Sequence, residues 1–213
     1  MTTLAIGPSA RRAAASLATL AVVLGALSGC GTAKDDAVGA DVEERTSDYL
    51  ITSEALPAGW GDSNSQGLDY RLTVCGVDVE PVEPVRAANI RFSEGPLGPF
   101  LEQHVRIYRD DEVSDVITAL ADALPGCDHY SAKGSAADSP EATFKVEPLT
   151  IKNAPADSVA WRQITEGDLP VTQDIVLVKR GDRTAVLLMS YAIRDTPDPA
   201  VLDGAVADLP EGA

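Results

Sequence analysis

The segment Phe100–Tyr108 constrains the fold most, because apolar and polar side chains alternate along it. Its first face carries Leu101, Val105 and Ile107. Its second face carries Glu102, His104 and Arg106. A two-residue period is typical of a β-strand that buries one face. Because such a strand needs partner strands and a covering layer, the segment predicts a domain built on a sheet.

The remaining periodic segments predict how that sheet is completed. Strand-like alternation recurs in Tyr70–Val74, Ala88–Ser93, Thr143–Leu149, Ser158–Thr165, Asp174–Arg180 and Arg183–Ile193. The last two strands face each other across a predicted two-residue hairpin turn, Gly181-Asp182. Helical patterns cover Arg45–Glu54, Asp111–Leu124 and Pro199–Leu209. The composition of Ser131–Pro140, which is rich in Ser, Ala, Gly and Asp, predicts a loop. We therefore expect an α+β fold: a twisted antiparallel sheet of about six strands, with two or three helices packed mainly on one face.

The N-terminal 29 residues have the parts of a secretory signal. Arg11 and Arg12 precede an apolar run that begins near Ala13 and ends in small residues. The closing Leu27-Ser28-Gly29-Cys30 resembles the bacterial lipobox, in which the cysteine receives a diacylglyceryl group and becomes the new N-terminus. We expect residues 1–29 to be a lipoprotein signal peptide and Cys30 to be lipidated. The alternative is an uncleaved membrane anchor, for which the run is short.

Cleavage before Cys30 leaves 184 residues, which suits one domain over 45–213 behind a flexible acidic tether at 30–44. The leader contains two arginines and no acid, so its removal changes the net charge from −16 to −18. A surface this acidic repels phosphate groups, which excludes nucleic acid as a partner. The expected attachment is to the membrane, through the lipid on Cys30.

Two cysteines remain after Cys30 is lipidated. Cys75 and Cys127 form an even pair in a chain that we expect to be exported to an oxidising compartment. We predict a disulfide between them, and closing that loop stabilises the fold by about 4 kcal/mol. The alternative is two buried free thiols.

Motifs for catalysis and metal binding are missing from the sequence. It has no Gly-x-Ser-x-Gly, no phosphate-binding loop and no His-Glu-x-x-His. Its two histidines, His104 and His129, are too few for a zinc site without further ligands. The acids Asp110, Asp111 and Glu112 lack the spacing of a calcium loop and suit a helix N-terminus. We therefore predict no catalytic residue, no metal site and no cofactor.

The polar face of Phe100–Tyr108 is the candidate binding surface. Guanidinium groups held between aromatic rings are suited to a carboxylate or phosphate ligand. The predicted ligand-binding residues are Arg91, Glu102, His104, Arg106 and Tyr108. The alternative is a solvated sheet face with cross-strand charge pairs.

Several local phrases, taken in order, resemble one family. They are Leu50-Ile51-Thr52 leading to Leu56-Pro57-Ala58-Gly59-Trp60, Val74-Cys75-Gly76, Gly98-Pro99-Phe100-Leu101-Glu102-Gln103, Ala123-Leu124-Pro125-Gly126-Cys127 and the final hairpin. Together they resemble the PknH-like extracellular sensor domain of actinobacterial membrane kinases, which also occurs on exported lipoproteins. The resemblance implies a twisted antiparallel sheet, two principal helices and a polar cleft for an extracellular ligand. The kinase member has two disulfides, whereas this chain has cysteines for one.

These observations lead to one expected function and two alternatives. We expect a lipid-anchored, non-enzymatic, sensor-like domain on the outer face of the cytoplasmic membrane, which binds an unknown small or lipidic ligand. The first alternative is an interaction lipoprotein that docks on an envelope protein. The second is a hydrolase of envelope esters or lipids, for which the sequence shows no nucleophile and base.

Overall fold

The computed structural model describes residues 44–64, 67–68, 72–133, 141–152 and 154–211. The predicted signal peptide, Cys30 and the tether up to residue 43 lie outside the described residues, as do Tyr70 of the first predicted strand and residues 134–140 of a predicted loop.

Ten strands form within the described ranges. In chain order they are β1 (Gly61–Asp62), β2 (Thr73–Val74), β3 (Val77–Asp78), β4 (Arg86–Ser93), β5 (Phe100–Ile107), β6 (His129–Lys133), β7 (Glu141–Pro148), β8 (Ser158–Thr165), β9 (Val171–Arg180) and β10 (Thr184–Ile193). Eight of them form one antiparallel sheet in the order β1-β4-β5-β10-β9-β8-β7-β6, while β2 and β3 form a separate small hairpin. The α+β class is thus confirmed, but the sheet has eight strands instead of about six.

Two helices cover this sheet, α1 (Glu112–Ala123) and α2 (Pro199–Ala207). Helix α1 packs through Val113, Val116 and Leu120 on the face that carries Leu177 and Leu187. Helix α2 packs on the other face, and its core positions are Val201, Leu202, Ala205 and Val206. The expectation that the helices lie mainly on one face is therefore wrong. The central strands are apolar on both faces, so each face needs its own cover.

Local sequence explains where each helix begins. Asp111 caps α1, because its carboxylate accepts a hydrogen bond from the backbone N–H of Ser114 at 3.2 Å. Asp198 caps α2 in the same way, and Pro199 follows at the first helical position, where its missing N–H costs nothing. Leu124–Gly126 then continues α1 as a single 3-10 turn, which carries Pro125.

Three local predictions are corrected. The predicted helix Arg45–Glu54 is two short 3-10 turns, Thr46–Tyr49 and Ser53–Ala55. The turn between β9 and β10 contains three residues, since Arg180 pairs with Thr184 and Gly181 has φ +57°. The residues Ser131–Lys133 lie in β6, which had been predicted as loop.

Candidate functional site

The predicted binding face of β5 lies on the side of the sheet that α1 covers. Register pairs Glu102 with Met189, and His104 with Leu187, both of which belong to the α1-side core. The structure buries this face: Glu102 is 2% exposed, His104 3% and Arg106 8%. The face is therefore an internal polar cluster rather than a solvated sheet surface.

Glu102 is the centre of this cluster. One carboxylate oxygen accepts from the Tyr191 hydroxyl at 2.6 Å and lies 3.2 Å from Nε of Arg91. The other oxygen lies 3.3 Å from Nε2 of His104. The backbone N–H of Leu68 donates to both oxygens at 2.9 Å. The negative charge is thus satisfied by groups from four separate parts of the chain.

The segment that covers Glu102 can approach it because it contains a glycine. A Cβ atom added to Gly67 would stand 2.7 Å from Oε2 of Glu102, which is closer than real Cβ contacts allow. Glycine is therefore required where the backbone meets the carboxylate.

Arg91 is held against Glu102 by aromatic rings as well as by charge. Its guanidinium carbon lies 4.6 Å from the ring centroid of Phe100 and 5.6 Å from that of Tyr191. These two rings stack at 5.0 Å, and Arg91 also donates to the Tyr191 hydroxyl. A partly buried cation–π contact of this kind fixes the guanidinium in place.

Arg106 is the second arginine of the cluster, and it binds Glu80, which precedes β4 in the chain. Its Nε donates to Glu80 at 2.9 Å, while one terminal nitrogen donates to Oδ1 of Asn89 at 2.9 Å and to backbone carbonyls of β4 and β5. The same Asn89 oxygen lies 3.2 Å from Nδ1 of His104, so the two halves of the cluster are linked. Tyr108 is 2% exposed and belongs to the α1-side core.

Hydrogen bonding decides the charge state of Glu102. Burial raises the pKa of a carboxyl group, but the hydrogen bonds from His104, Tyr191 and Leu68 outweigh that effect and hold the pKa of Glu102 below its usual value. For Tyr191, burial and the hydrogen bond to Glu102 raise the pKa of the phenol. Glu102 is thus an anion and Tyr191 a neutral donor at neutral pH.

The structure therefore brings the five predicted residues onto one face, where they bind one another or the core. Sequence reasoning missed Leu68, Glu80, Asn89 and Tyr191, which supply their partners. That these residues bind a ligand stays a prediction, since each charged group already has an intramolecular partner.

The disulfide prediction is confirmed. Cys75 and Cys127 are joined, with their Cα atoms 5.9 Å apart. Cys75 and Gly76 form the turn between β2 and β3, both with positive φ, at 52° and 83°. The bond therefore ties this hairpin to the chain just after α1.

A pocket of about 370 Å³ lies beside Cys127, at the point where β7 ends. Its apolar lining comes from α1, the turn after it, β7 and β8, and includes Leu124, Pro125, Val146, Pro148, Val159 and Trp161. Two carboxylates, Asp128 and Glu147, also line it, and Glu147 pairs with Lys145 at 2.7 Å. A mostly apolar pocket of this size with few polar groups suits a small organic ligand.

Within the described ranges, no three His, Cys, Asp or Glu side chains are grouped as metal ligands. His129 lies 3.5 Å from Glu166, and both side chains are about half exposed. In the part of the chain that the structure describes, neither helix has the length and apolar character to span a bilayer.

Comparison with solved structures finds the crystal structure of the extracellular domain of PknH from Mycobacterium tuberculosis. The two chains are 13% identical, with a TM-score of 0.40, and the aligned region covers 56% of this chain and 60% of that chain. This chain thus spans less than two thirds of the length of that domain. No model of a known protein family matches the sequence, and no curated protein matches it. The similarity is to a domain of the kind that the local sequence phrases resemble, and it does not show membership of that family.

Proposed function

We propose that this chain is an exported, lipid-anchored, non-enzymatic domain that binds a small ligand in the pocket beside Cys127. The lipobox-like Leu27-Ser28-Gly29-Cys30 and the disulfide between the other two cysteines both support export to an oxidising compartment. The membrane would hold the domain through Cys30, at the outer face of the cytoplasmic membrane.

The hydrogen bonds that Glu102 and Arg106 make within the fold argue against a catalytic role for either side chain. A general base or nucleophile needs a free lone pair within reach of a substrate. Glu102 receives donors on both oxygens, and Arg106 is bonded to Glu80 and Asn89. These groups hold Leu68 and Glu80, on either side of the β2–β3 hairpin and Cys75, against β5.

The pocket is the observation that carries the proposal. Its volume of about 370 Å³ lies within the range of small-molecule sites, and its lining includes Trp161, which is 1% exposed. Asp128 lines the pocket and is solvent-exposed, with no ion pair to another described residue. The lining therefore favours a ligand with an apolar body and a cationic or hydrogen-bond-donating end.

Titration with three six-carbon probes tests this proposal, because Trp161 reports occupancy through its fluorescence. In a chain that begins at residue 31, we expect hexyltrimethylammonium to bind more tightly than hexanol, and hexyl sulfate most weakly. Asp128→Asn should remove most of the preference for the cation. Failure of all three probes to change the fluorescence at millimolar concentration would contradict the proposal.

A matched pair of helix variants locates the binding. Ala121 lines the pocket from the exposed side of α1, whereas its neighbour Asp122 is exposed and does not line it. Ala121→Trp should weaken binding at least tenfold by filling the pocket, and Asp122→Trp should leave binding unchanged. Equal affinities in both variants would place the ligand elsewhere.

A further inference from the structure

Three large apolar side chains are exposed at one end of the sheet. Leu97 is 84% exposed in the turn between β4 and β5, Leu169 is 54% exposed in the turn between β8 and β9, and Ile193 is 42% exposed at the end of β10. We call these three residues the tip surface. Isolated exposed apolar residues are ordinary, but a group of them indicates a contact site.

The strand register shows that the three residues lie at the same end of the sheet. Ser93, which ends β4, pairs with Phe100, and Phe100 pairs with Tyr191 near the end of β10. Ile193 pairs in turn with Val171, at the start of β9. Since neighbouring strands lie about 4.8 Å apart, the two hairpin turns are separated by about 14 Å, with Ile193 between them.

Prolines restrict both turns that carry a leucine. Leu97 lies between Pro96 and Pro99, and Leu169 precedes Pro170. Proline fixes φ and reduces the conformational entropy that a turn loses on binding. Each leucine is therefore next to a proline whose φ is already fixed before a partner binds.

The described chain enters the fold at the opposite end of the sheet. Glu44 accepts from Nε of Arg183 at 3.0 Å and from the Tyr49 hydroxyl at 3.1 Å, beside the turn between β9 and β10. A strand as long as β10 separates this turn from the tip surface by about 30 Å. A domain held through the residues before Glu44 thus presents the tip surface away from its attachment. The pocket beside Cys127 lies at the attachment end, where β8 begins, so the two surfaces are distinct.

Acidic residues surround the tip surface. The turns between β4 and β5 and between β8 and β9, together with the two residues after β10, carry Glu94, Glu166, Asp168 and Asp195 against one base, Arg194. This charge repels a second copy of the same acidic surface and also anionic lipid headgroups. It favours a partner that carries lysine or arginine around an apolar centre.

We propose that the tip surface docks an envelope protein whose matching surface is apolar at its centre and basic at its rim. The three apolar side chains enter the centre, and the surrounding carboxylates pair with the basic rim. This interaction goes beyond ligand binding in the pocket; it rests on the export and anchoring in the proposed function, but not on the pocket.

Site-specific photocrosslinking of the full-length chain in intact cells of its source tests the proposal. A benzoylphenylalanine is placed at Leu97 or Leu169, and at Asp182 as the control on the exposed turn at the opposite end. We expect both tip positions to form an adduct with the same second protein, at least tenfold above Asp182. Absence of an adduct at both tips, or equal yield from Asp182, overturns the proposal.

Charge reversal tests the basic rim directly. Glu94→Lys combined with Asp168→Lys should reduce the Leu97 adduct at least fivefold, whereas the exposed Glu83→Lys, at the other end, should leave it unchanged. An adduct that is insensitive to the reversal overturns the proposal. The mass of the product decides the remaining cases, because an adduct with a second copy of this chain or with a phospholipid also overturns it.

Discussion

Glu102 is the residue on which the buried polar cluster depends. Removing its charge leaves Arg91 and His104 without their anion in a buried site, where the loss of one partner costs about 3 kcal/mol. We expect Glu102→Gln to lower the free energy of unfolding by about that amount, as measured by urea denaturation. Glu147→Gln, which removes a partly exposed carboxylate paired with Lys145, is the control and should change it by less than about 0.5 kcal/mol.

The stabilisation by Glu102 should also depend on pH. Its pKa is lowered in the folded state, so its contribution is fully present above the unfolded carboxyl pKa of about 4.3 and is lost as the pH falls through the folded pKa. The stability difference between wild type and Glu102→Gln should therefore be constant from pH 5 to 8 and shrink below pH 4. A difference that stays constant down to pH 2 would show that the charge is not the cause.

For these residues, the sequence predicted that they share one face of β5 but did not predict that the face is buried. Alternation along β5 correctly placed Glu102, His104 and Arg106 on one side. Their partners could not be predicted, because Leu68 lies 34 residues from Glu102 and Tyr191 lies 89 residues from it. Only the folded sheet brings these groups together and buries them.

Among the single elements, helix α1 depends on the side chain that caps its N-terminus. Asp111 accepts from the backbone N–H of Ser114 and pairs with Lys179 at 2.6 Å, and the hydrogen bond from Lys179 lowers its pKa. Asp111→Ala should lower the thermal unfolding midpoint, with a loss of about 1 kcal/mol. Asp110→Ala, one residue earlier and outside the cap, should have an effect below about 0.5 kcal/mol. Equal losses in the two variants would argue against the capping role.

The disulfide connects the β2–β3 hairpin to the end of α1. Its partners are 52 residues apart, and closing a loop of that length contributes about 4 kcal/mol. Cys75→Ser combined with Cys127→Ser should reduce the free energy of unfolding accordingly and make it independent of added reductant. Wild-type protein should lose a similar amount on reduction; an unchanged midpoint after complete reduction would contradict this.

The expectation that the helices pack mainly on one face is wrong, although the strands contain a signal that both faces are covered. Ile175–Val178 and Ala185–Met189 are continuous apolar runs, which is typical of strands that are buried on both faces. The alternation along β5, by contrast, is typical of a strand with one apolar and one polar face. That face is buried as well, since its charges are paired within the fold.

The sheet domain within the described residues has two ends with different character. The attachment end holds Glu44, the disulfide-linked segment and the apolar pocket, and the other end holds Leu97, Leu169 and Ile193 among acidic side chains. A domain tethered at the first end is able to receive a small ligand near the membrane and to offer the second end to a protein. Both proposals depend on export and anchoring through Cys30.

The intact mass of the chain isolated from membranes of producing cells tests that dependence most directly. We expect a chain that begins at Cys30, carries a diacylglyceryl group and retains the Cys75–Cys127 disulfide, and we expect Cys30→Ser to abolish both acylation and membrane retention. A chain that still begins at Met1, without acyl groups and with alkylatable thiols at Cys75 and Cys127, would contradict it.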